Sequence, residues 1–130
     1  MTQEDKKLLL KDLCARLPYG VKIMFRHNGF RWDWEQTLED IRLCDNGEYA
    51  INGWGIHGIK PYLRPMSSMT EEEDIYYNTV FTTLKCWEKT DWLNSHYFDY
   101  RELIEKGLAI EVTKENNPYK EQYHDYRRLC

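Results

Sequence analysis

An α+β domain is what this sequence predicts, and three observations carry that reading. An amphipathic helical pattern opens the chain at residues 3–17. An Asn28-Gly29 pair sits between two alternating apolar runs. A capped helical pattern with an aromatic stripe begins at residue 71. Together they give one N-terminal helix, a small twisted antiparallel sheet of three to five strands that could curl into an SH3-like partial barrel, and a helical C-terminal half. Residues 1–112 read as a single domain and 113–130 as a polar tail, loose or partner-dependent.

In the first helix, Leu9, Leu10, Leu13, Cys14 and Leu17 fall on one stripe, and Lys6, Lys7, Lys11 and Asp12 cover the rest. Thr2 is its cap, with Asp5 at the capping-box position, and Pro18 and Gly20 end it. Val21, Ile23 and Phe25 then alternate with Lys22, Met24 and Arg26. A two-residue turn at Asn28-Gly29 sets Arg26 against Arg31, Phe25 against Trp32, Ile23 against Trp34 and Lys22 against Glu35. That register sorts rings onto one face and charges onto the other.

Asp45-Asn46-Gly47 predicts a second hairpin. A three-residue loop with Gly47 left-handed sets Leu43 against Tyr49 and Ile41 against Ile51. Residues 34–40 also fit helical spacing, so a helical turn there stays open. Pro61 and Pro65 hold residues 60–65 extended, as an edge strand or a connector.

Thr70 and Glu73 form a capping box for a helix over 71–87, whose stripe is Tyr76, Tyr77, Val80, Phe81, Leu84 and Trp87. A short helical piece is expected from Asp91 to Tyr97. Another follows, capped by Asp99 with Glu102 at the box position and ended by Gly107. Residues 108–112 read as a short strand returning to the sheet edge. The sheet core, Ile23, Phe25, Trp32 and Trp34, should pack on the first helix and on helix 71–87.

Three stretches carry a resemblance: EDKKLLLKDLCARLPYGV at 4–21, IKPYLRPMSSMTEEE at 59–73, and DWLN at 91–94 with FDYRELIEKGLA at 98–109. The chain resembles a group of small uncharacterised proteins of gut anaerobic bacteria, often found in phage-like or mobile-element settings. The resemblance implies a bacterial cytoplasmic setting and supplies no catalytic residues.

A net charge of −4 argues against sequence-blind binding to nucleic acid or to an acidic membrane. The charge is uneven: residues 70–111 hold four basic and ten acidic residues, whereas residues 16–69 hold seven basic and six acidic. An anion-binding face would therefore lie in the first half. Arg26 opposite Arg31 is its sharpest feature, because like charges across a ladder repel unless an anion sits there. Trp32, Trp54 and Tyr62 could flank that face, and Lys60 and Arg64 would extend it.

Cys14, Cys44, Cys86 and Cys130 form no CxxC pair, and no apolar leader precedes them, so the chain reads as cytosolic with free thiols. The four histidines and four cysteines show no metal-ligand spacing. There is no GxSxG, and Gly53-Trp54-Gly55-Ile56-His57-Gly58 only faintly echoes a phosphate loop. No cofactor and no catalytic residue are expected. The leading expectation is a non-catalytic binding or adaptor module for protein. A nucleic-acid module using Arg26, Arg31, Lys60 and Arg64 is the alternative, and a small enzyme a third. Oligomeric state is not fixed by the sequence.

Overall fold

The structure, a computed structural model, describes residues 2–26, 33–79 and 86–119. Its elements are the helix α1 (Gln3–Arg16), the strands β1 (Lys22–Arg26), β2 (Asp33–Thr37), β3 (Ile41–Leu43), β4 (Tyr49–Ile51), β5 (Trp54–Gly55) and β6 (Ile59–Leu63), the helices α2 (Glu71–Thr79) and α3 (Cys86–Ser95), and the strand β7 (Ile110–Glu111). Short 3-10 turns follow α1, separate β5 from β6 and follow β6. The α+β class stands, with two sheets rather than one: β2-β1-β6-β7 and β3-β4-β5.

Helix α1 begins as its sequence dictates. The Thr2 hydroxyl accepts from the Asp5 backbone N–H at 3.0 Å, and the Asp5 carboxylate accepts from the Thr2 N–H. A 3-10 turn over Leu17–Tyr19 and Gly20 at φ 66° end it, because glycine adopts the left-handed region without a Cβ clash. The buried face is narrower and more polar than the leucine pattern suggests. Leu9 and Leu13 are buried, and so are Asp12 and Arg16, while Cys14 is exposed.

The first sheet corrects the hairpin register. β1 pairs with β2 as Lys22↔Thr37, Ile23↔Gln36, Met24↔Glu35, Phe25↔Trp34 and Arg26↔Asp33. This is a slip of two residues from the register that a two-residue turn imposes. Arg26 therefore faces Asp33 rather than Arg31, and Phe25 faces Trp34 rather than Trp32. A slip of two keeps every side chain on its face, so the ring-and-charge pattern cannot tell the registers apart. The Asn28-Gly29 turn, Arg31 and Trp32 lie outside the described residues, as do Val80, Phe81 and Leu84. Residues 33–37 are strand, not a helical turn.

The second hairpin has the expected register, Leu43↔Tyr49 and Ile41↔Ile51, with Gly47 at φ 83°. Asn52, left-handed at φ 51°, ties the two sheets at a corner. Its Oδ1 accepts from the N–H groups of Glu39 and Asp40, and its Nδ2 donates to the Thr37 carbonyl and to Gln36 Oε1.

β6 is an interior strand, not an edge. It pairs with β1 through Ile59, Lys60 and Pro61, and with β7, in parallel, through Tyr62 and Leu63. Pro61 has no N–H to give, and the β7 ladder begins one residue after it. β7 returns to the sheet edge as expected.

The core gathers Leu9 and Leu13 of α1, Ile23 and Phe25 of β1, Ile51, Ile59, Leu63, Leu103 and Leu108. Each aliphatic side chain so buried stabilises the fold by about 1.5–3 kcal/mol. The described residues of α2 add nothing to that core, while Val80, Phe81 and Leu84 of the expected stripe lie outside the described residues. None of its described residues is buried, and Tyr76 instead stacks on Trp92 of α3, 5.4 Å between centroids. α3 starts earlier than the expected helical piece at 91–97. Residues 99–107 are turns rather than a further helix. Asp99 still caps, accepting from the N–H groups of Leu103 and Ile104 at 2.9 Å, but Glu102 at φ 61° stops helix propagation.

Candidate functional site

The described part of the chain concentrates its polar interactions where β6 leaves the sheet. Arg64 follows the last residue of β6, and its backbone is fixed on both sides: its N–H donates to the Tyr97 carbonyl and its carbonyl accepts from Asp99, each at 2.8 Å. The side chain makes a two-pronged bond to Glu73, Nη2 to Oε1 at 2.7 Å and Nη1 to Oε2 at 2.9 Å. It also reaches the Ser68 carbonyl, and its guanidinium lies 4.2 Å above the Phe98 ring.

Glu73 is placed by the N-terminus of α2. It is the capping-box carboxylate, and Oε1 also accepts from the Thr70 N–H at 2.8 Å while the Thr70 hydroxyl accepts from the Glu73 N–H. One carboxylate thus caps a helix and clamps an arginine. The Arg64 hydrogen bonds, with the Thr70 N–H adding to them, hold its carboxyl down at about 2 against the opposing effect of burial. His96 Nδ1 lies 3.5 Å from Glu73 Oε2. Burial keeps that imidazole below its ordinary value although Glu73 pulls it upward. Trp92, His96 and Phe98 form a ring stack behind the pair, 4.5 Å from Trp92 to His96 and 5.6 Å from Trp92 to Phe98.

A second polar cluster holds the end of α1. Arg16 is fully buried; its Nε donates to Asp12 at 2.8 Å and its Nη2 to the Phe98 carbonyl at 2.6 Å. Arg101 donates to the other Asp12 oxygen at 2.8 Å. Two cations share one buried carboxylate, and Arg16 Nη1 has no hydrogen-bond partner. The segments 4–21, 59–73 and 91–109 supply both clusters. Nothing local in the sequence marks Asp12, Arg16, Glu73 or Phe98 as members, apart from the capping box at Thr70 and Glu73.

A cavity of about 730 Å³ opens beside Arg64, lined among others by Ser68, His96, Tyr97, Val112, Lys114 and Tyr119. Tyr97 and Tyr119 stack face to face at 3.8 Å. The Tyr119 hydroxyl donates to the Tyr62 carbonyl at 2.7 Å and accepts from the Lys22 N–H, which fastens the chain beyond β7 to the body. Burial keeps both phenols protonated beyond the ordinary tyrosine range.

The residues singled out from sequence do not meet as one face. Arg64 is committed to Glu73, and Tyr62 is buried. Lys60 is exposed on β6, and Trp54 is partly exposed on β5 with its ring 6.1 Å from Phe25. Arg26 faces Asp33 in the ladder. Cys14 and Cys44 are exposed, and neither bonds to a histidine among the described residues. Among the described residues no three His, Cys, Asp or Glu side chains gather, and no helix is long and apolar enough to cross a membrane. No protein-family model, no curated protein and no solved structure matches the chain.

Proposed function

We propose that the chain is a non-catalytic protein-binding module, bacterial and phage-associated as its resemblance implies, whose contact surface is the outer end of the second sheet. One observation carries this. Ile41, Leu43, Tyr49, Ile51 and Trp54 share a face of β3-β4-β5, because cross-strand partners point the same way. Ile51 is buried in the core, but Leu43 is 59% exposed, Tyr49 38% and Trp54 40%. The apolar face therefore runs on past the core it serves, and rings presented on short paired strands are a low-entropy contact surface.

The architectural part of the proposal is an SH3-like partial barrel built from β1 to β6. Its support is the run of six short strands in two sheets, the corner at Asn52 that ties them, the 3-10 turn before β6 and the pairing of β6 back onto β1.

The test compares pull-downs by the wild-type chain and by a Leu43→Ser/Tyr49→Ser variant of equal thermal stability. A protein retained by the first and lost by the second supports the reading. The same proteins on both, or none on either, overturn it. Recovery of nucleic acid instead, released by raised salt, favours the alternative.

A further inference from the structure

The cavity beside Arg64 has the size of a small-molecule site, about 300–1,000 Å³ in most proteins. Its lining is unlike its surroundings. The chain carries a net charge of −4, and residues 70–111 are its most acidic stretch. Yet no lining residue is acidic, and two, Arg64 and Lys114, are cationic. Lys114 forms no ion pair among the described residues, so its charge is left over. Arg64 has five N–H groups. Its bonds to Glu73, to Ser68 Oγ and to the Ser68 carbonyl use four of them and leave one on Nη1. The rest of the lining mixes the polar Ser68, Thr70, Ser95, His96, Thr113 and Asn117 with Val112 and the stacked pair of Tyr97 and Tyr119, whose hydroxyls are spent on the Tyr19 and Tyr62 carbonyls, so that most of its exposed surface is carbon. A cavity with one flat aromatic wall, and a cation that has no ion-pair partner among the described residues, suits one kind of occupant.

We propose that this cavity binds a small organic anion, its carboxylate or phosphate held by Lys114 and the uncommitted Arg64 N–H, its flat apolar body against Val112, Tyr97 and Tyr119. The site is separate from the apolar surface of the second sheet, so each stands or falls without the other.

Calorimetric and amide-resonance titrations of the full chain use three probes of one shape: 1-naphthoate, 1-naphthyl phosphate and the neutral 1-naphthalenemethanol. One of the two anions binds and perturbs the amides of residues 112–117, and the alcohol binds at least about tenfold more weakly, as loss of a charge-assisted bond requires. The stronger anion identifies the headgroup. Lys114 is exposed, so Lys114→Ala folds normally and weakens the anion about tenfold without affecting the alcohol. The proposal is overturned if neither anion binds at millimolar concentration, if the alcohol binds equally well, or if Lys114→Ala changes nothing.

Discussion

Arg16 Nη2 donates to the carbonyl oxygen of Phe98 at 2.6 Å and joins the last turn of α1 to a segment 82 residues away in sequence. Asp12 sits between Arg16 and Arg101 and is the only carboxylate either one contacts among the described residues. Removing it leaves a buried guanidinium without its counter-charge. Asp12→Ala should therefore cost about 3–5 kcal/mol, and the double replacement Asp12→Leu/Arg16→Met should cost less than the single one. Urea unfolding at constant m-value measures both. A loss below about 1 kcal/mol for Asp12→Ala would show that the network carries little.

The clamp between Arg64 and Glu73 gives a pH signature. The Glu73 carboxyl is depressed from 4.5 to about 2, so its stabilisation is complete above about 4.5 and fades as pH falls toward 2. Glu73→Gln should cost about 1–2 kcal/mol at neutral pH. The gap between wild type and variant should close between pH 4.5 and 2. Denaturation across that range checks it, and a gap independent of pH would contradict the clamp.

His96 has the same sign for a different reason. Its folded value lies below the ordinary 6.5 because burial disfavours the cation. Stability linked to it is present above about 6.5 and declines as pH falls through the folded value. Proton resonances of the imidazole should titrate at a pH lower than 6.5. A midpoint above 6.5 would mean that the pull of Glu73 outweighs burial.

Tyr119 behaves oppositely. Its folded value is raised, so the stability it confers is present below the unfolded value of 10.0 and is lost as pH rises beyond it. Tyr119→Phe removes the donor to the Tyr62 carbonyl and the acceptor for the Lys22 N–H. It should cost about 1–2 kcal/mol by thermal unfolding, because two hydrogen bonds to the backbone are lost together. An unchanged melting temperature would show that water replaces the phenol.

Asn52 tests the corner between the sheets. Asn52→Ala deprives Glu39 N–H, Asp40 N–H and the Thr37 carbonyl of a partner and keeps a Cβ at φ 51°, so about 2–3 kcal/mol is expected. Asn52→Gly loses the same bonds but relieves the backbone, so it should be the milder change. Equal losses from the two would place the cost in the hydrogen bonds alone.

What could be read from the sequence was what is local. The Thr2 and Thr70 caps and the hairpin around Gly47 depend on residues a few positions apart, and they formed as their spacing dictates. The β1–β2 register escaped because a slip of two residues preserves the faces on which the inference rested. The like-charged Arg26 and Arg31 pair disappeared with that register. Asp12 and Arg16 were hidden for the opposite reason. Charged residues near an apolar stripe read as a solvated face unless their partners are known, and here the partners are Phe98 and Arg101. Arg64 was marked as a binding residue, but its partner, Glu73, was assigned only to the cap of α2.

That one of the two interior strands of the first sheet comes sixth in order sets a schedule for this chain during synthesis. α1 and five strands leave the ribosome before β6 can take its place between β1 and β7, and Arg16 waits for residues 98–101 to neutralise and cover it. Until residues 98–111 have been made, the growing polypeptide can form hairpins and a helix but cannot close the first sheet or cover Arg16, and the apolar faces of β1 and α1 stay open for that interval.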